Sequence, residues 1–411
     1  MSAVLKVVGV GGGGCNAIES MIKKGLSGVE YIAINTDAQV LQRNLAQVKI
    51  QIGSNITKGL GAGADPNVGR KAAEEDRDKI ENALRGSDMV FVTAGMGGGT
   101  GTGAAPIVAS IAKSQGALVI GIVTKPFRWE GKLRTQNAIQ GIAELREYVD
   151  SLIVIPNERI LNILDSAVTA LTAFDKPNEV LYEATRGIAD IITVPGIINV
   201  DFADVRSVMK HSGEALMGCG ISSGENRAIE AAQKAISSPL LEGVSIKGAK
   251  NILLNITGSP NMTMQEIEEG NKVLYEAAGE EANIIFGLVS KEEMGEYISY
   301  TVIATGFDSH GALSASNNQK EEKIEREKPQ KVSAVGGFDA KAYEFKDHAD
   351  LDIPTIFRWK NNTDDLRKKD NGLASNSSSD QLDAFEVNDK KRRKNEDFED
   401  GSSSFLRMMM D

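Results

Sequence analysis

Short apolar runs and longer stretches with apolar residues every three or four positions alternate along the first 160 residues. Residues 4–10, Tyr31–Ile34, Ile50–Ile52, Met89–Thr93, Ala117–Val123 and Leu152–Ile155 are apolar and mostly β-branched, and read as strands. Helical spacing fills most of the gaps, over Asn16–Lys24, Asn67–Leu84 and Arg134–Tyr148. This alternation predicts a doubly wound parallel α/β sheet, in which ligands bind beyond the carboxyl ends of the strands. The loops leaving those ends, at 10–16, 35–39, 95–103, 124–134 and 156–158, are polar or glycine-rich. They should converge on one crevice.

From about Val168 to Ile192 a long helical pattern carries Leu171, Phe174, Val180, Leu181, Ala184 and Ile188 at helical spacing. Pro177 is expected in its first turn, and Pro195-Gly196 ends it. A helix of this length between two sheet regions reads as a strut joining domains. A second α/β segment comes next, with helices near Glu225–Ser237 and Thr263–Ala278, the latter opened by the capping-box spacing Thr263-x-x-Glu266. Its strands fall near Ile252–Ile256, Asn283–Leu288 and Tyr297–Ala304. Beyond Gly306 polar residues dominate and apolar periodicity stops, the signature of a disordered linker. The resulting division is a first α/β domain over 1–170, a central connecting helix over 171–195 and a smaller α/β domain over 196–306. A linker over 307–350, an apolar island at Leu351–Lys360 and a polar extension over 361–411 complete it.

The richest chemistry lies in Ala94–Pro106. Gly97 to Gly103 holds five glycines and two threonines between a strand and a helix, with Pro106 suited to that helix's first turn. Each glycine costs roughly 0.5–1 kcal/mol relative to alanine, and a plain turn needs one or two. The excess fits a backbone that must come very close to a phosphate at a helix N-terminus, with a flexible loop as the plainer alternative. Gly59–Asp65, which includes Gly63, is another small-residue loop able to approach a phosphate. Gly9-Val-Gly11-Gly-Gly-Gly14 with Asp37 on the next strand also satisfies a dinucleotide fingerprint, so a nicotinamide-dependent oxidoreductase stays open. Two glycine loops on one crevice suggest a ligand with more phosphate charge, and no G-x-x-x-x-G-K-[ST] occurs in them.

Composition narrows this further. The 411 residues are 41% hydrophobic, enough for a substantial core, and a net charge of −11 argues against a nucleic-acid backbone as main partner. Cys15 and Cys219 fit no metal spacing, which suggests a reducing compartment. No signal pattern and no run of about 18 apolar residues is present, so a soluble cytoplasmic protein is expected. Cys15 beside the phosphates is either a thiol open to modification or a passive small residue. Asp201 and Asp204, three apart near a helix start, would share a face, and Asp201 could equally be a plain N-cap.

Gly97-Gly-Gly-Thr-Gly-Thr-Gly103 resembles the signature loop of the tubulin/FtsZ superfamily. From about Leu5 to Gly306 the chain is similar to its FtsZ branch, the bacterial cell-division GTPases. The match includes Gly9–Asn16, Asn35-Thr-Asp-Ala-Gln39, Thr57–Ala64, Pro126-Phe-x-x-Glu130-Gly-x-x-Arg134, Ile155-Pro-Asn157, Asn199–Arg206 and Ile236–Leu241. The resemblance implies a tubulin-like fold and a GTPase that assembles head to tail into filaments at the midcell division ring, peripheral to the inner membrane. It implies that Gly11, Gly12, Gly13, Gly14, Gly97, Gly98, Gly99, Gly101 and Gly103 hold the phosphates, with hydroxyls from Thr100 and Thr102. Asn35 and Gly63 fall in matching loops, Glu130 and Arg134 match residues near the ribose and phosphates, and Asn16, Phe174 and Asn178 match the base pocket. Asn199, Asp201 and Asp204 would act on the γ-phosphate of a neighbouring subunit, the carboxylates positioning the attacking water. GTP or GDP is the implied ligand and Mg2+ is expected with it; no dedicated protein metal site is implied. Leu351–Lys360 resembles the peptide by which FtsZ proteins dock on membrane tethers such as FtsA or ZipA, with Phe405-Leu-Arg407 as a weaker echo. The basic run Lys390–Lys394 could touch anionic lipid. A tubulin-like adaptor that binds GTP without turnover is the rival within this family.

Overall fold

The computed structural model describes residues 3–161, 168–241 and 246–307. The chain runs β1 (Leu5–Val10), α1 (Gly11–Lys23), β2 (Glu30–Asn35), α2 (Ala38–Arg43), β3 (Val48–Gln51), α3 (Ser54–Thr57), α4 (Pro66–Glu75) and α5 (Arg77–Leu84). It continues through β4 (Met89–Gly95), α6 (Thr100–Ser114), β5 (Leu118–Lys125), α7 (Lys132–Tyr148), β6 (Ser151–Pro156), α8 (Asn157–Leu161) and α9 (Ala170–Thr193). Then come α10 (Phe202–Met209), β7 (Gly213–Ser222), α11 (Arg227–Ile236), β8 (Asn251–Gly258), α12 (Met264–Ala278), β9 (Asn283–Ser290) and β10 (Ile298–Thr305). Among the described residues these strands form one sheet in the order β3-β2-β1-β4-β5-β6-β7-β10-β8-β9.

The first six strands are parallel, and β7 joins parallel to β6 with Ser151 opposite Gly213. Strand β10 is antiparallel to both β7 and β8. The parallel half is buried on both faces, which is why its strands read as unbroken apolar runs. Along β4, Met89 and Phe91 face one core while Val90, Val92 and Ala94 face the other. Helices α1 and α9 cover the first face, with Ile18, Met21, Ala184 and Ile188; α4 to α7 cover the second, with Ala72, Ile80, Val108 and Leu145.

Several expected boundaries move. Helix α9 is packed along its length, its Val180, Leu181, Ile188 and Ile191 sharing one core with Ile120 and Ile153 of the parallel half and Met217, Leu253 and Ile303 beyond it. It joins the two halves, as its length suggests, and is at the same time a packed layer of the fold. Pro177 lies inside α9 and Pro106 inside α6, not in their first turns. Helix α9 begins close to where its apolar pattern does, with Thr169 capping it by accepting from Thr172 N at 3.3 Å, so Pro177 falls two turns in; α6 starts earlier than expected, since Thr100–Gly103 already coil as helix. Each proline removes one helical hydrogen bond, which is tolerated because buried packing holds the segment. The stretch Asn67–Leu84 breaks at Asp76, whose carboxylate accepts from Gly53 N at 2.8 Å and pairs with Lys79 at 2.6 Å. Apart from Phe307, the expected linker, the Leu351–Lys360 peptide and the extension 361–411 lie outside the described residues. Among those described, no helix is long and apolar enough to cross a membrane.

The capping box of α12 forms as its spacing predicts: Thr263 Oγ1 accepts from Glu266 N at 3.2 Å, and Glu266 Oε2 accepts from Thr263 N at 2.8 Å. Arg227 at 2.9 Å chiefly holds the Glu266 carboxyl below its ordinary range. Thr263→Ala should therefore lower stability by about 1 kcal/mol. An unchanged urea-unfolding midpoint would show that the cap contributes nothing.

Candidate active site

The carboxyl ends of the parallel strands lie flush. Val10 pairs with Ile34 and Ala94, Gly95 with Thr124, and Lys125 with Pro156. Helices α1 and α6 both begin at this edge, and neither has a side-chain cap or an acidic residue in its first turn. The first N–H groups of each helix have no helical acceptor, and both positive dipole ends face the same crevice. Such a pair is a ready site for a polyanion.

The glycines around it divide into two kinds. A Cβ on Gly14 would strike Thr93 O, one on Gly11 would stand 2.6 Å from Gly101 N, and one on Gly103 would strike Pro66 O. Those on Gly13, Gly97, Gly99 and Gly101 would also crowd neighbouring chain, at 3.0 Å or less. Most of the glycine richness therefore lets α1, α6 and their neighbours press backbone to backbone, a demand of the fold more than of a ligand. Gly12 and Gly98 differ: a Cβ there would meet nothing within 4 Å, and neither has a positive φ. Nothing within the protein asks for glycine at these two positions. They mark where a ligand could come closest. Gly63 also faces open space, on a loop whose Ala62 and Asp65 pack against Gly99, but its left-handed φ of 57° by itself favours glycine.

The hydroxyls of this region are engaged internally. Thr102 Oγ1 accepts from Gly97 N at 2.8 Å, bracing the second glycine loop, and the Thr100 and Thr36 hydroxyls share a hydrogen bond of 2.6 Å. Asn35 is buried, its Oδ1 accepting from Asp37 N at 3.3 Å, so it shapes the turn after β2. Asn16 is exposed one turn after Gly12 on the same helix. Burial pushes the Cys15 thiol up to about 12, and the residue is fully enclosed, so the passive reading of this cysteine holds.

At the rim, Glu130 and Arg134 pair at 2.7 Å, and the start of α7 abuts Gly97 through Arg134 O. Phe174 is 52% exposed beside two further rings, Phe127 of the Pro126–Arg134 motif and Trp129, which that motif leaves unspecified. Phe127 is buried and stacks on Trp129 with centroids 5.2 Å apart; Phe174 meets them edge-on at 5.8 and 5.6 Å. Trp129 is 63% exposed, and its place beside Glu130 is the one signal of it in the sequence. Asn178 lies one turn after Phe174 on α9, with its Nδ2 donating to Asp175 Oδ1 at 3.1 Å.

Asn199, Asp201 and Asp204 sit elsewhere. Asp201 caps α10, its Oδ1 accepting from Asp204 N at 2.8 Å, so the capping role is real; Asn199 Oδ1 accepts from Gly196 N at 2.6 Å. All three are exposed. Helix α10 is tied to the amino edge of the sheet, where Arg206 donates to Gly116 O at 2.9 Å just before β5. The length of β5, about 23 Å, separates that edge from the crevice. Helix α9, about 36 Å long, carries the chain from the aromatic rim toward it. The structure thus brings the glycine loops, Glu130, Arg134, Phe174 and Asn178 together and leaves the two aspartates apart from them. Among the described residues, no cluster of His, Cys, Asp or Glu could hold a metal ion.

Comparison with known proteins identifies the family. The model of the Tubulin/FtsZ family GTPase domain matches residues 4–165, and that of the FtsZ family C-terminal domain matches 213–308. An empty FtsZ dimer from M. jannaschii is 43% identical, with a TM-score of 0.71 over 74% of this chain and 89% of that one. CetZ2 from Haloferax volcanii, solved as a GTPγS-bound protofilament, is 20% identical with a TM-score of 0.62, over 76% of this chain and 96% of its own. CetZ1 from the same organism, a GDP-bound monomer, is 23% identical with a TM-score of 0.63, over 76% and 100%. The two CetZ proteins share the fold.

The two kinds of glycine predict opposite outcomes. Gly12→Ala should leave the ligand-free protein as stable as before, or more stable by up to about 1 kcal/mol, while weakening nucleotide binding. Gly14→Ala should destabilise the fold itself by about 2 kcal/mol or more, because backbone must shift. Thermal melts and nucleotide titrations of both variants check this, and equal melting losses would undo the distinction.

Proposed function

The chain belongs to the FtsZ family of tubulin-like GTPases, and on that premise we propose that it assembles head to tail and hydrolyses GTP at a site shared by two copies. One observation carries the reading: the exposed Asp201 and Asp204 cap and open helix α10, which Arg206 ties to the segment before β5, at the opposite end of that strand from the crevice. No single chain brings them to its own nucleotide. Stacking copies along the strand direction sets the amino edge of one over the crevice of the next. The FtsZ dimer from M. jannaschii supports self-association as a property of close relatives.

In this reading the N–H groups of α1 and α6, with Gly12 and Gly98 closest, hold the phosphates. Phe174 and Asn178 take the base, and Glu130 with Arg134 the sugar and phosphate side. Mg2+ would arrive on the phosphates and neutralise part of their charge, which needs no carboxylate cluster in the protein. The carboxylates of Asp201 and Asp204 accept hydrogens of a water and aim its oxygen at the γ-phosphorus. The new P–O bond forms as the bond to the β-phosphate oxygen breaks, releasing GDP and inorganic phosphate. Asn199, its Oδ1 spent on Gly196, offers its amide N–H groups to phosphate oxygen. Phosphoryl transfer depends mainly on positioning and charge stabilisation, so a site completed by a partner couples turnover to assembly.

On the family's pattern, the filament forms the division ring beneath the membrane, with Leu351–Lys360 as its docking peptide. A nicotinamide reading finds no support in the family assignment. Asp204→Ala should retain GTP binding, lose at least about tenfold in phosphate release and lengthen filament lifetime. Wild-type turnover in that variant would remove the aspartate from the mechanism.

A further inference from the structure

One charge at the crevice has no part in this reaction. Asp175 comes directly after Phe174 on α9, is exposed, and would lower the affinity for any polyphosphate nearby. The adjacent Lys176 pairs with Glu179 at 2.7 Å, and Glu179 also takes Lys24 at 3.1 Å. The hydrogen bond the structure gives Asp175 comes from Asn178, whose Nδ2 donates to Oδ1 at 3.1 Å. The two residues are three apart, so their side chains meet on the helix surface.

An ionised carboxylate can only accept hydrogen bonds, so the group facing it from an amide must be the NH2 end. The oxygen of Asn178 is thereby turned away from Asp175. We propose that Asp175 is a specificity-determining positioning residue: it fixes the Asn178 amide with Oδ1 toward the base, as an acceptor for a guanine. Guanine presents N–H donors at N1 and at its 2-amino group. Adenine presents an unprotonated N1, an acceptor, which that oxygen repels. With the amide free to turn, Nδ2 could serve adenine instead, and the discrimination would shrink. This inference rests on the reading of Phe174 and Asn178 as the base pocket.

The test compares equilibrium binding of GDP and ADP to the full chain, its Asp175→Asn variant and its Asn178→Ala variant. Asparagine at 175 keeps the shape and can accept from or donate to Asn178, so both amide orientations become available. Removing the negative charge strengthens binding of both diphosphates together, so their affinity ratio isolates the orientation. The GDP-to-ADP preference is expected to fall at least about tenfold in Asp175→Asn, with an unchanged melting temperature. A preference retained in Asp175→Asn but lost in Asn178→Ala overturns the role of Asp175 and leaves the base pocket standing. A preference retained in both variants shows that Asn178 does not touch the base, and the proposal fails with that reading.

Discussion

The structure depends on how closely the first turns of α1 and α6 approach each other. A side chain on Gly11 would collide with the amide of Gly101, and one on Gly14 with the carbonyl of Thr93. Because none is there, two helix N-termini end side by side at the carboxyl edge of one parallel sheet, uncapped by any side chain. Their unpaired N–H groups and aligned dipoles make the crevice an anion site before any specific contact is counted. The surrounding parts are placed relative to that junction. The Gly97 loop is braced by Thr102, the loop through Gly63 packs on Gly99, and α7 abuts Gly97 with its Glu130–Arg134 pair.

Helix α9 links this crevice to the far edge. Its first turns carry Phe174 and Asn178 to the aromatic rim, and its buried face runs across both halves of the sheet. Helix α10, which follows, is fastened by Arg206 to the segment just before β5. One rigid helix therefore keeps the crevice and the aspartates further apart than a side chain can reach. Under the proposed reading a second copy would close that separation, and the requirement for it would make assembly a condition of turnover.

Much of this is legible in the sequence because parallel strands buried on both faces leave unbroken apolar runs. Glycine is harder to read. The run 97–103 suggests a loop molded to phosphate, whereas most of those glycines serve contacts between backbone segments; among the described residues, only Gly98 in that run and Gly12 in the first glycine loop are open without a conformational reason. Glycine also hides β7, since Gly218 and Gly220 break its pattern; they are required because the carbonyls of Ala235 and Ala231 on α11 press against that strand. Prolines mislead in the same way, because Pro106 and Pro177 suggest helix starts that Thr100 and Thr169 set earlier. Trp129 and Asp175 carry no motif of their own. Their places emerge only once Phe127, Phe174 and Asn178 are seen side by side.

The central claim is that the catalytic aspartates act on the nucleotide of another copy. Phosphate release per chain, measured across a dilution series with light scattering recorded in parallel, tests it most directly. The account predicts negligible release at low concentration and a rise in specific activity that begins where scattering begins. A specific activity that stays flat on dilution, with no scattering, would mean that one chain holds a complete site and would contradict the account.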